Sequence, residues 1–162
     1  MNILKKLCYL FVISAFTMTI ISCSNDEDDE LVVVEPEMTP SQVLSSTPWE
    51  TTHAKNQNGQ SVSLTDSNVI NFVGFAYFKT DGTFTMYNLD NSPKMYGDWS
   101  VSADGSTRTI VAKDTNGNVL FTRVVKITVL TKQEFTYRIY PDANNQSIYY
   151  DIIHTPTNHP EP

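Results

Sequence analysis

The chain has 162 residues, about one domain's worth, of which 40% are hydrophobic and 18% charged; that balance excludes wholesale disorder. Eleven Lys plus Arg against 18 Asp plus Glu leave a net charge of −7, so no nucleic-acid partner is expected, because a phosphate backbone needs a basic surface. Two cysteines exclude a disulfide-dense scaffold and a cysteine-rich zinc centre.

The first element is a targeting segment over residues 1–22. Lys5 and Lys6 precede the uncharged apolar run Leu7 to Ile21, the layout of a secretory signal. The run is shorter than the roughly 20 residues a membrane span needs. It ends in Ile20-Ile21-Ser22-Cys23, which resembles the lipobox of bacterial lipoproteins, with Ile21 where that motif usually carries Ala or Ser. The resemblance implies that Cys23 is lipidated, with fatty acyl chains such as palmitate, and becomes the first residue of the mature chain. The competing reading is an ordinary secretory signal with an incidental cysteine. Cys8 leaves with the signal, so the mature chain has neither free thiol nor disulfide, which suits an oxidising compartment. Each buried methylene contributes about 0.8 kcal/mol to membrane attachment, so several chains on one cysteine anchor firmly.

Residues 23–38 form an acidic tether. The run Asp26-Glu27-Asp28-Asp29-Glu30 is solvated and self-repelling. It also resembles the acidic export signal that sends some Gram-negative lipoproteins to the outer face of the outer membrane. The expected location is therefore the outer membrane, lipid-anchored, on its periplasmic or its surface face. From Thr47 onward nine basic residues face eleven acidic ones, so the acidity belongs mostly to the tether.

One helix is predicted. Thr39-Pro40-Ser41-Gln42 offers a capping residue, proline at the first helical position and glutamine at the third, and the helix runs to about Ser46. Strands are predicted near 48–54, 61–65, 69–79, 83–89, 94–102, 107–113, 118–130, 134–141 and 147–154. Asn58-Gly59, Asp81-Gly82, Asp104-Gly105 and Asn116-Gly117 are hairpin signals, since both residue types tolerate positive φ. Gly74 and Gly97 lie inside strand-like runs and predict bulges or sharp bends. Alternation places Phe84 with Met86, Met95 with Trp99, Val119 with Phe121, Val125 and Ile127, and Phe135 with Tyr137 on apolar faces. Short strands joined by tight turns predict an all-β, up-and-down antiparallel barrel of about eight strands, its edges removed by closure. A two-sheet sandwich is the competitor.

The same residues carry a family resemblance. Leu44, Trp49 and Asn58-Gly59, then Phe78-Lys79-Thr80-Asp81-Gly82-Thr83-Phe84, then Gly97-Asp98-Trp99-Ser100-Val101 with Asp104-Gly105 resemble the small lipocalin-like domains of bacterial lipoproteins, an uncharacterised group. The glycine that group usually has two residues before the first tryptophan is Thr47 in this chain. The resemblance implies a barrel domain over 39–154, plugged at one end by Trp49, with a Pro-rich tail at 155–162.

Arg123 interrupts the apolar face Val119, Phe121, Val125, Ile127. An arginine inside a barrel needs a counter-charge or an anionic ligand, so it is read either as a pocket cation for a carboxylate head group or as the rim partner of an acid such as Asp151. With Trp99, Tyr137, Phe121 and Met86 it forms the expected ligand-binding set for a small apolar or amphipathic molecule. The alternative is an interaction module with a packed interior whose surface meets protein or glycan. Pairing of the last strand with the first puts His154 near Trp49 and leaves His53 about 13 Å along the strand, so these two cannot share an ion. His159 has no third ligand in view, and neither metal nor cofactor is expected. The aromatics Phe72, Phe75, Tyr77, Phe78, Tyr149 and Tyr150 must point to both faces of their strands, exposed or covered by the helix near 40–46. Tyr87, Tyr96 and Tyr140 are read as surface residues. Catalysis is not expected: no nucleophile elbow, zinc-helix motif or phosphate loop is present, and Asp98 and Asp151 are only isolated acids.

Overall fold

The computed structural model describes residues 37–162. It contains a helix α1 (Pro40–Ser45) and strands β1 (Trp49–Asn56), β2 (Ser61–Val62), β3 (Phe75–Phe78), β4 (Thr83–Tyr87), β5 (Pro93–Val101), β6 (Thr107–Lys113), β7 (Val119–Leu130), β8 (Phe135–Ile139) and β9 (Tyr150–Pro156). Every strand pair is antiparallel, and β1 pairs with both β3 and β9. Eight strands, β1 and β3 to β9, therefore close into one up-and-down barrel; β2 only prolongs the β1 hairpin. Barrel and core close within residues 37–162, which makes this part a self-contained folding unit.

The predicted helix is present with its capping box. The Thr39 hydroxyl accepts from the Gln42 amide and the Gln42 side chain accepts from the Thr39 amide. The four Asx-Gly turns form, each glycine with positive φ. Two predicted strands are shorter than expected. The 61–65 run pairs only at Ser61–Val62, and the 69–79 run opens with a single 3-10 turn, Ile70–Phe72, before β3. The Asp66 carboxylate accepts from the Asn68 amide, which turns the backbone away from any ladder. Gly97 is not at a bulge, since it pairs in register with Phe84 and Ala112. A Cβ there would lie 1.9 Å from the Val111 carbonyl oxygen, so glycine serves the close approach of β5 to β6. Gly74 precedes β3 rather than lying inside it.

Alternation along antiparallel strands sorts the turns into two ends. The turns around Lys79–Gly82, Asp104–Gly105 and Thr131–Glu134 share one end with α1. Asn58-Gly59, Asn91, Asn116-Gly117, the 140–149 loop and the 3-10 turn share the other. The first end is closed: Trp49 is fully buried and its indole N–H donates to the Leu44 carbonyl at 2.9 Å. Trp49, Phe78, Phe84, Trp99, Ile110, Phe135 and Ile152 fill the barrel above it, and Trp49 packs edge-on against Phe135 at 5.9 Å.

Candidate functional site: the open end of the barrel

The central feature is a buried arginine on β6 that no motif in the sequence marks. Arg108 shares the inward parity of Ile110 and Ala112 on β6 and is 2% exposed. Its guanidinium carbon lies 4.6 Å from the Tyr137 ring centroid, 5.5 Å from Phe135 and 5.6 Å from Phe78. Aromatic faces recover part of the cost of burying a cation, yet Nε has no hydrogen-bond partner. Burial pushes the Arg108 pKa down and that of the Tyr137 hydroxyl up. His154, inward on β9, stacks on Tyr137 at 5.2 Å, with Nδ1 at 3.1 Å from the Phe135 carbonyl. Burial, reinforced by Arg108, holds His154 down at about 3, so its imidazole is neutral and Nδ1 donates.

Toward the open end, Arg123 stands on β7 opposite Ile110. It is half-buried, its guanidinium 4.9 Å from the Phe72 ring and 5.0 Å from Phe121. Phe72, on the 3-10 turn, meets Tyr137 edge-on at 6.4 Å, so one ring links the outer arginine to the aromatic nest of the inner one. Lys94 Nζ donates to the Val73 carbonyl at 2.5 Å and the Ile70 carbonyl at 3.4 Å, tying that turn to the barrel. Burial, then Arg123, lowers the Lys94 pKa.

The acids of the neighbouring strands are engaged elsewhere. Asp151 takes a two-pronged pair from Arg138 at 2.8 and 2.9 Å, which removes it as the partner expected for Arg123. Asp98 pairs with Lys113 and Glu161 with Lys79. The Arg138–Asp151 and Lys113–Asp98 pairs sit on the outward parity of their strands, and Lys79–Glu161 joins the turn after β3 to the C-terminal tail.

The β6–β7 hairpin projects beyond its neighbours at this end. β5 pairs with β6 only from Gly97 onward, and β8 reaches β7 only up to Lys126. Two clefts of about 280 Å³ each flank the hairpin. One is lined by Met86, Met95, Ala112, Leu120 and Phe121, the other by Phe72, Arg123, Val125, Ile139 and Gln146. The rim carries exposed apolar side chains: Ile70, Leu89, Val119, Leu120 (62% exposed) and Ile148. A larger groove, about 550 Å³, lies at the closed end beside α1, and its charged residues are Glu37 and Asp104.

The five predicted ligand residues thus separate. Arg123, Phe121 and Met86 line the open end, Phe121 being 37% exposed rather than in the core; Trp99 and Tyr137 are buried in the packing below. Trp99 donates to the Lys79 carbonyl at 3.0 Å. The closing register aligns His154 with Thr51, not Trp49. His53 is exposed on the outer face and His159 lies outside on β3, stacked on Phe75 at 4.0 Å. Among the described residues no three metal-ligating side chains converge. Phe75 and Tyr77 are covered by the C-terminal tail rather than by α1: the Tyr77 hydroxyl meets His159 Nδ1 at 2.8 Å and donates to the Pro160 carbonyl at 3.0 Å. Tyr96 is exposed, while Tyr87 and Tyr140 are half-buried. Cys23 and the acidic run lie outside the described residues.

The barrel is similar to several solved structures. A lipocalin-like protein from Bacteroides uniformis is 16% identical with a TM-score of 0.47, over 71% of this chain and 99% of that one. The tryptamine complex of the amine binding protein of Rhodnius prolixus is 15% identical with a TM-score of 0.41, over 70% of this chain and 63% of that one. A biogenic amine-binding protein gives 15% and 0.40, over 70% and 64%; this chain therefore spans less than two thirds of those two. No functionally curated sequence matches. Residues 41–162, the helix and the whole closed barrel, match one family model, and the chain belongs to the family described as Domain of unknown function (DUF4822).

Proposed function

We propose that this is a lipid-anchored protein of the outer membrane whose barrel binds a small apolar or amphipathic molecule without catalysis. The observation that supports this reading is the asymmetry of the interior. Below, aromatic residues fill the barrel and Trp49 and α1 cap it. Above, inward-facing Met86, Met95, Phe121 and Arg123 line clefts at an apolar rim. A concave, mostly apolar site with a few polar groups is the usual form of a small-molecule site, and an apolar rim lowers the cost of entry. Phe121, Met86 and Arg123 are the contact residues; Trp99 and Tyr137 form the floor that supports them. Anchoring through Cys23 rests on the signal and lipobox pattern.

The second reading, a packed module that meets protein or glycan through its surface, is supported by the filled lower barrel. Native mass spectrometry of the chain from Ser24 onward separates the two. An adduct retained after purification, lost on mild denaturation and reduced by Phe121→Ala, is the expected result. A bare mass together with no displacement of a hydrophobic dye would leave only the packed module.

A further inference from the structure

We infer that the ligand is an organic anion, with a single head group such as a carboxylate, and that Arg108 is the buried residue that selects it. The inference rests on the ligand-binding reading and adds the charge. Arg108 lies low in the barrel, in the aromatic nest of Phe78, Phe135 and Tyr137, and two more cations stand above it toward the open end. Arg108 is buried with an unpartnered Nε. Arg123 stands half-buried on the same inner face. Lys94 is spent on two backbone carbonyls. Arg123 repels both of the others. The nearby carboxylates Asp98 and Asp151 are paired with outward-facing cations instead.

A buried, uncompensated charge costs several kcal/mol. The three aromatic faces around Arg108 offset part of this, but a ring face does not accept from Nε in the guanidinium plane. An anion does both: it neutralises the excess positive charge and accepts the orphaned N–H. Guanidinium suits the task because its planar fork matches a two-oxygen acceptor. The way in is where the Phe72 ring now sits between Arg123 and Tyr137. That ring stands on a three-residue turn whose carbonyls are held by Lys94 and the Thr51 hydroxyl, so the ring swings aside about its own side-chain bonds while the turn stays in place. The head group then accepts from Arg123 and Arg108, while Val125 and Ile139 of the same cleft, with Phe121 beside Arg123, take the apolar body.

Decanoate and decanol, equal in length and different in charge, test this by calorimetric titration of the chain from Ser24 onward. Decanoate should bind roughly tenfold or more tightly, the worth of a charge-assisted hydrogen bond in a desolvated site. Its addition should move the Arg108 Nε–H signal in a nitrogen–proton correlation spectrum, assigned by its absence from Arg108→Lys. Because Arg108 variants are at risk of misfolding, Arg123→Gln at the half-exposed position is the second variant, and it should erase the preference for decanoate. Equal affinity for decanol, or an unmoved Arg108 signal, overturns the anion inference and leaves ligand binding standing. Binding of neither compound overturns both.

Discussion

His154 shows how a residue's chemistry is decided by what surrounds it. In sequence it is an ordinary histidine two residues past Ile152; in the barrel it is desolvated, faces Arg108 and is held to about 3 from an ordinary 6.5. The unfolded chain takes up a proton near 6.5, whereas the folded one does not until about 3. The unfolded state thus binds more protons through that interval, and stability falls as pH falls across it, by about 1.4 kcal/mol per pH unit. His154→Phe should therefore flatten the acid side of the stability profile. It should also cost about 1 kcal/mol at neutral pH, by leaving the Phe135 carbonyl without its donor. Urea midpoints of both proteins at neutral pH and near pH 4.5 check this; parallel profiles would show that His154 does not govern the acid limb. Arg108 teaches the same lesson from the other side. Its parity with Ile110 and Ala112 was visible in the sequence, but an arginine among β-branched residues reads as surface until strand pairing fixes which face is enclosed.

At the level of elements, the aromatic density of β3 finds its explanation in the tail. Phe75, Ala76, Tyr77 and Phe78 are all buried, because Phe78 and Ala76 face the barrel while residues 157–161 cover Phe75 and Tyr77 outside. The covering is specific. Thr157 donates to the Pro48 carbonyl at 3.0 Å, His159 stacks on Phe75, and Glu161 meets Lys79 at 3.1 Å and the Thr85 hydroxyl. The ion pair is partly exposed and contributes little by itself; most of the stabilisation comes from the two aromatic side chains removed from water. Truncation after Pro156 should cost on the order of 2–3 kcal/mol. It should also raise the fluorescence of a hydrophobic dye, and an unchanged melting temperature would show the tail to be energetically idle. A period-two pattern cannot anticipate such a contact, since it says which residues share a face and not what lies upon it.

For the molecule as a whole, barrel closure gives the two ends different roles. The described chain enters at the closed end, through residues 37–39 and α1, opposite the apolar rim. Cys23→Ala should release the protein from the membrane fraction and abolish labelling by a radioactive fatty acid, with the barrel's circular dichroism unchanged. Retained labelling would refute the anchor.

The amino-acid sequence by itself determined the β-class, the short capped helix, the hairpin corners and the closing neighbours β1 and β9. These follow from local rules, turn chemistry and alternation, that act over a few residues. The tertiary structure alone decided three things: the register that sets His154 against Thr51, the hairpin projection that moves Phe121 from core to rim, and the absence, among the described residues, of an acid paired with Arg108. Each depends on which strands become neighbours and how far each pairing extends. Those are properties of the closed surface, where charge and burial are summed over residues far apart in the chain.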